Sequence, residues 1–288
     1  MVTVHLAGGL GNQMFQYSFG KILAKKNNCE LKLDLSMFES YEWHEYSLKP
    51  FNIKAQICSK EESDFLKGQN LSFFERLKRK FITRPTVIQE ENLLYNPKYL
   101  NVQSPVYAKG YWQSEKYFSS FENDIRDDLF ITVPPSPVNL EMFDRIKGKN
   151  AVSLHIRRGN YVQIDSVNKV HGTCSMEYYE RAVELISSKV ANPVFFVFSD
   201  DIVWAKDNLH LNFETVFIDI NDSKSDYEDL RLMYSCKHHI LANSSFSWWG
   251  AWLNESEDKI VIAPKIWFAD EKLNNETSDL IPEQWIRI

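Results

Sequence analysis

Cysteine is scarce and scattered. The 288 residues contain four, Cys29, Cys58, Cys174 and Cys236, far apart and with no C-x-x-C pair. That spacing excludes a thioredoxin-type motif and supplies no cysteine zinc site, so free thiols in a reducing compartment are the simplest expectation. Long apolar runs are missing too. None approaches the ~20 residues of a membrane span, and the opening MVTVHLAGGLG has no basic stretch ahead of an apolar core. The expected location is cytoplasmic, with peripheral contact at a membrane surface as the other option. Positive charge is short as well, at a formal net charge of −6. Without excess cations to displace counterions, nucleic acid is not expected as a partner, and any anion site has to be local.

Apolar and aromatic residues are plentiful, at 44% and 14%, enough to fill two cores at this length. The organising stretch is AVSLHIRRGNY, Ala151 to Tyr161. Val152, Leu154 and Ile156 alternate with Ser153, His155 and Arg157, the period of a strand, which ends at the turn signal Gly159-Asn160. The strand delivers Arg157 and Arg158 to its carboxyl end, where ligands sit in open α/β sheets and guanidiniums can fork onto phosphate oxygens. His155 shares the strand face of Arg157. Taken alone, the same residues also fit a solvated arginine pair on a loop.

The first half opens with a strand, Val2 to Leu6, then the glycine turn Ala7-Gly8-Gly9-Leu10-Gly11, then a helix carrying Phe15, Phe19 and Leu23. A second strand, Leu31 to Leu35, completes a β-α-β unit. The turn is neither G-x-G-x-x-G nor a P-loop, so a dinucleotide oxidoreductase is the lesser reading. Asn12 and Gln13, amides at the helix start, are candidates for hydrogen bonds to a sugar. Among the aromatics between Phe38 and Phe130, Trp43, Tyr46, Tyr111 and Trp112 fit core packing better than sugar stacking. Arg76, Lys78, Arg79, Lys80 and Arg84 surround Phe74, Leu77 and Phe81; a solvated helix face is the ordinary explanation, an anionic surface the alternative. Pro134-Pro135-Ser136-Pro137 marks the boundary between domains 1–137 and 138–288.

In the second half Ser175 caps a helix with Tyr179, Val183 and Ile186 inward. Val194 to Phe198 reads as a parallel strand buried on both faces, ending at Ser199-Asp200-Asp201. Val216–Ile218, His239–Ala242 and Ile260–Ala263 are the remaining strands, and Ser225-Asp226-Tyr227-Glu228 reads as a capping box. After a strand comes Asn243-Ser244-Ser245-Phe246-Ser247-Trp248-Trp249-Gly250, where Ser244 or Ser245 would cap a helix whose N-terminus suits phosphate. Arginine pair, acidic pair and serine-capped helix meet at one sheet edge, as a nucleotide-sugar site requires. Asp200 or Asp201 would accept from a guanine amino group or a ribose hydroxyl.

The segments AGGLGNQMFQYSFGKILA, HIRRGNY, HGTCSMEYY, FSDD and ANSSFSWWGAWL with PKIWF resemble, in order and over nearly the whole chain, the bacterial α-1,2-fucosyltransferases of glycosyltransferase family 11. The resemblance implies an α/β GT-B fold, two Rossmann-like domains facing a central cleft, with the last helix packing back on the first domain. It implies an inverting transfer of L-fucose from GDP-fucose to the 2-hydroxyl of a terminal galactose. Acceptors would be lactose, N-acetyllactosamine, an O-antigen unit or a glycolipid. Carried over by position, His155, Arg157, Arg158, Asp200, Asp201, Asn243, Ser244, Ser245 and Phe246 would bind GDP-fucose, with Arg157 and Arg158 neutralising the diphosphate, while Asn12 and Gln13 line the cleft. No metal or other cofactor is implied, and the chain lacks an Asp-x-Asp motif. For proton removal from the acceptor, Asp165, His171 and Glu177 are candidates, with Asp165 preferred. One departure stands out: the family commonly has aspartate where this chain has Asn160, and an amide cannot serve as general base. A different linkage or acceptor, or a GDP-sugar-binding protein without catalysis, are the alternatives.

Overall fold

The computed structural model describes residues 1–39 and 44–288, and the side chains of Asn160 and Gln163 lie outside what it describes. Trp43 therefore falls outside the described residues. The chain divides into two compact α/β units, Met1–Thr132 with Ser278–Leu280, and Val133–Thr277 with Ile281–Ile288.

The first unit is a parallel sheet of β1 (Val2–His5), β2 (Leu31–Asp34), β3 (Gln56–Ile57), β4 (Thr86–Gln89) and β5 (Val106–Lys109), in the order β3-β2-β1-β5-β4. The helix Leu10–Lys26 connects β1 to β2 and is buried on nearly every side. Gly20 lets it approach the sheet, since a Cβ there would lie 2.3 Å from Val4 Cγ2. The helix ends as its sequence suggests, with Lys25 and Lys26 in the last turn and Asn28 in the left-handed region at φ 48°. Trp112 is fully buried and stacks on Phe19 at 3.9 Å. Tyr46 is half-buried, and Tyr111, next to Trp112, is exposed.

Asp34 closes β2, an acid at the place where a dinucleotide-binding unit would present one to a ribose. It is not open to a ribose, because its Oδ2 accepts from Ser63 (2.5 Å) and Tyr107 (2.6 Å) and its Oδ1 from the Ser36 N–H. Burial would raise this carboxyl, but His5 and the two hydroxyls outweigh it and hold it well below the usual range.

Glu90, just past β4, shows the opposite balance. Its carboxylate accepts from the N–H groups of Tyr111 (2.6 Å) and Trp112 (3.0 Å), yet burial pushes its pKa up to about 6 from 4.5. Between those values the folded state binds more protons than the unfolded state, so stability falls as pH rises, by about 2 kcal/mol in all. Glu90→Gln removes that slope. Urea unfolding at about pH 4.5 and about pH 7 should show the variant gaining about 2 kcal/mol on the parent across the range; a constant difference would mean Glu90 titrates normally.

The second unit is a six-stranded parallel sheet. Its strands are β6 (Asn150–Ile156), β7 (Pro193–Ser199), β8 (Thr215–Phe217), β9 (His238–Ile240), β10 (Val261–Ala263) and β11 (Ile286–Arg287), in the order β11-β10-β9-β6-β7-β8. β6 and β7 pair along their whole length, from Asn150 with Pro193 to Ile156 with Ser199. Alternation in β6 and β7 feeds two cores. Val152, Leu154, Phe195 and Val197 pack under the helix Met176–Ser187, and Ala151, Val194, Phe196 and Phe198 pack under Asp226–Ser235 and Pro137–Ile146. Ser175 caps the first of these helices as expected. β10 is not the last strand, because β11 adds a two-residue parallel pairing beyond it.

Two local expectations change. Ser225 makes no cap bond; its hydroxyl donates to Asp222 Oδ1 at 2.8 Å, so a local Asp turn captures it. The proline stretch is less an extended linker than a helix start. Ser136 caps Pro137–Ile146 with Pro137 in its first turn, which suits proline because that N–H has no partner to lose.

Candidate functional site

The site is built at the carboxyl ends of β6, β7 and β9. Past β6, the Arg158 N–H donates to Asp200 Oδ1 at 2.8 Å, and Arg157 Nη1 pairs with Asp200 Oδ2 at 2.9 Å. Gly159 permits this, since a Cβ would lie 2.3 Å from Asp200 Oδ2. Asp201 caps the helix Ile202–Asn208 by accepting from the Trp204 N–H at 3.2 Å, and its other oxygen stands 3.5 Å from Arg158 Nε. The structure thus brings Arg157, Arg158, Asp200 and Asp201 together. Both acids engage the arginine loop, so their first effect is to aim the guanidiniums.

The two arginines are not equivalent. Arg157 is closely compensated by its carboxylate and lies over the Tyr161 ring at 5.3 Å. Arg158 Cζ lies over the Trp204 ring, 3.7 Å from its centroid, with the Arg158 Nε buried and lacking a hydrogen-bond partner. Two cations and two anions sum to no net charge. Affinity for an anion here comes from directed N–H donors rather than a general field.

His155 is 5% exposed, its ring 5.8 Å from that of Phe246 and its Nδ1 buried with no partner. Burial, reinforced by the Arg157 charge, lowers its pKa to about 3, so the imidazole is neutral at any working pH and offers one donor and one acceptor. Ser244 caps the helix Ser245–Leu253 by accepting from the Phe246 N–H at 3.3 Å. Gly250 packs that helix on Met233, 3.0 Å from where a Cβ would sit, so it seats the helix against a neighbouring helix rather than the sheet.

Asn243 does different work from that expected. It is 2% exposed, and its amide donates to the carbonyls of His171 (3.0 Å), Gly172 (3.2 Å) and Trp267 (3.1 Å) while its oxygen faces Cys174 Sγ at 3.6 Å. It staples the loop after the arginines to the segment after β10. Gln13 is likewise a brace. Fully buried, it donates to Gly8 O (2.9 Å) and Glu45 O (2.8 Å) and accepts from Ser47 N (2.9 Å), which leaves no part of its amide for a sugar. Asn12 is half-buried, and its Oδ1 accepts from Gln113 at 2.8 Å.

Asp165 opens the helix Asp165–His171 and is exposed, without a side-chain hydrogen bond or ion pair among the described residues. Glu177 is also exposed. His171 is stacked on Tyr161 at 4.7 Å and lies 5.4 Å from Phe268; burial, with the Arg157 charge, lowers its pKa. Sequence reasoning passed over Trp204 and Tyr161, the platforms under the arginines. The available signal was an aromatic within one turn of each acidic or basic pair. Among the described residues no group of three His, Cys, Asp or Glu side chains is placed to hold a metal ion.

Fold and sheet edge together define the class, an α/β protein of two units, each built on a parallel sheet, with the GT-B fold. The chain belongs to glycosyl transferase family 11, whose family model matches residues 1–288, and it is therefore a glycosyltransferase. An Escherichia coli α-1,2-colitosyltransferase is 38% identical over 299 residues, covering 100% of this chain and 99% of that protein. The O-antigen biosynthesis glycosyltransferase WbnK of Escherichia coli is 33% identical, covering 98% and 99%. Among solved structures, an Arabidopsis thaliana FUT1 mutant in complex with GDP has the same fold, with a TM-score of 0.52 at 9% identity over 91% of this chain and 70% of that one.

Proposed function

We propose that this glycosyltransferase moves L-fucose from GDP-β-L-fucose to the 2-hydroxyl of a terminal galactose, with inversion at the anomeric carbon. The observation that carries the reading is the paired-arginine loop held by Asp200 and Asp201 beside the unpartnered Nδ1 of a neutral His155. In such a transfer the bond from sugar to GDP breaks ahead of attack, and negative charge grows on the departing diphosphate. Donors fixed beforehand stabilise that charge without reorganising. Arg158 and Arg157 would supply them, Ser244 and Ser245 would add the helix start, and His155 and Phe246 would contact the nucleotide. Asp200 and Asp201 would read guanine or ribose with lone pairs the arginine loop leaves available, and Asn12 would meet the acceptor.

A strong base is not part of this account. Asp165 is exposed and makes no side-chain hydrogen bond or ion pair among the described residues, and a dissociating donor needs only a weakly activated hydroxyl. Asp165→Ala should keep kcat within a few-fold of the parent; a loss of about 10²–10⁴ would make it the general base after all.

The identity to an α-1,2-colitosyltransferase favours one second reading, a GDP-linked colitosyl donor. Offering GDP-fucose and GDP-colitose in parallel, with lactose as acceptor, tests both. The proposal expects the higher kcat/KM with GDP-fucose. Turnover of the colitosyl donor alone would replace it with the second reading.

A further inference from the structure

We infer that the face formed by Phe73 to Arg84 docks on an anionic phospholipid bilayer. The segment is a helix, Phe73–Lys78, running into one wide turn, Arg79–Thr83. A solvated amphipathic helix would turn its rings inward, and this one does not. Phe73 is 71% exposed, Phe74 79%, Phe81 58% and Ile82 77%, and the first two rings meet edge to face at 5.8 Å. Large exposed apolar patches of this kind mark interaction sites.

The segment is nonetheless anchored. Ser72 and Glu75 form a complete capping box. Arg79 Nε and Nη2 donate to the carbonyls of Phe65 (3.0 Å) and Leu66 (3.1 Å), which removes Arg79 from the outer face. The rings are therefore presented on a braced support.

Charge selects the partner. From Ser72 to Arg84 there are five basic residues and one acid, Glu75, in a chain whose formal net charge is −6. Arg76, Lys78, Lys80 and Arg84 are exposed around the rings. A second copy meeting this face about a two-fold axis would bring the same cations opposite one another. An anionic bilayer supplies negative headgroups at its surface and an apolar region just below, the two environments this face combines. Rings at such an interface sit about 5–10 Å deep, with cations at headgroup level. If the transfer proposed above uses a lipid-carried acceptor, the face would hold the enzyme where that acceptor is.

Sedimentation of the full chain with sucrose-loaded vesicles, without donor or acceptor, tests this separately from the transferase reading. The chain should pellet with vesicles of three parts phosphatidylcholine to one of phosphatidylglycerol, and not with phosphatidylcholine alone. Lys78→Gln with Lys80→Gln should lower the partition coefficient about 25-fold, at about fivefold per cation. Phe74→Ser with Phe81→Ser should lower it at unchanged charge, and both double variants should transfer to soluble lactose as the parent does. Failure to pellet with anionic vesicles, or equal binding to neutral ones, overturns the inference. So does a dimer in sedimentation velocity that the Phe74→Ser, Phe81→Ser variant dissolves, which would assign the face to a second copy.

Discussion

Arg158→Ala is expected to lower kcat by about 10²–10³-fold, the cost of removing one donor aimed at developing charge, while the melting temperature stays near that of the parent. Arg158 rather than Arg157 carries this expectation because of how each is held. Arg157 is tied at 2.9 Å to Asp200 and helps fix the loop. Arg158 is oriented by stacking on Trp204, its pairing with Asp201 is loose at 3.5 Å, and its Nε has no hydrogen bond. A group whose hydrogen-bonding capacity is unmet in the folded protein has the most to gain when the diphosphate departs. A larger loss in kcat than any rise in KM is the expected kinetic form, because the interaction strengthens in the transition state. Near-normal turnover would remove the arginine from the mechanism.

Asn243→Ala should have the largest effect on stability. The substitution removes two N–H donors shared by three carbonyls. His171 O retains a bond from the Ala269 N–H, but Gly172 O and Trp267 O lose the amide partner they have. Leaving buried acceptors unmet costs about 1–3 kcal/mol each, so about 3 kcal/mol is expected. For a unit of this size that corresponds to roughly 6–12 °C in Tm. Donor KM should rise as well, since the loop holding His171 and Tyr161 beneath Arg157 loses its anchor. Calorimetry separates the possibilities. If Asn243 acted only as a ligand contact, Tm would be unchanged and donor binding alone would fall.

Asn243 also shows where reading a sequence stops. The strand before it and the serine cap after it were legible, because strand patterning and cap chemistry are local. Its role depends on three carbonyls 24 to 72 positions away, and no local pattern carries that. Gln13 is the same case. An amide at a helix start looks available for a sugar until the fold wraps Gly8, Glu45 and Ser47 around it.

The parallel sheet of the second unit was readable because buried strands such as Val194 to Phe198 are continuously apolar. β11 was not, since Ile286 and Arg287 are too short a run to show any period. Ser225 failed as a cap because Asp222, three residues earlier, offers a competing partner. The arginine pair was found from its place at a strand end. Its platform, Trp204, was hidden because stacking depends on the turn between β7 and the next helix. In the first unit, the basic and aromatic run from Arg76 to Arg84 looked like an ordinary solvated face. Only the exposure of the phenylalanines distinguishes it.

The central claim is that the arginine-bearing edge accepts GDP-fucose and releases GDP as fucose passes to galactose O2. The most direct measurement is GDP release from GDP-fucose with lactose or N-acetyllactosamine, with and without EDTA, and the product linkage read by NMR. The account predicts acceptor-dependent release, unchanged by EDTA, with fucose α-linked to the galactose 2-hydroxyl. No binding of GDP-fucose, or a product linked at another hydroxyl, would contradict it.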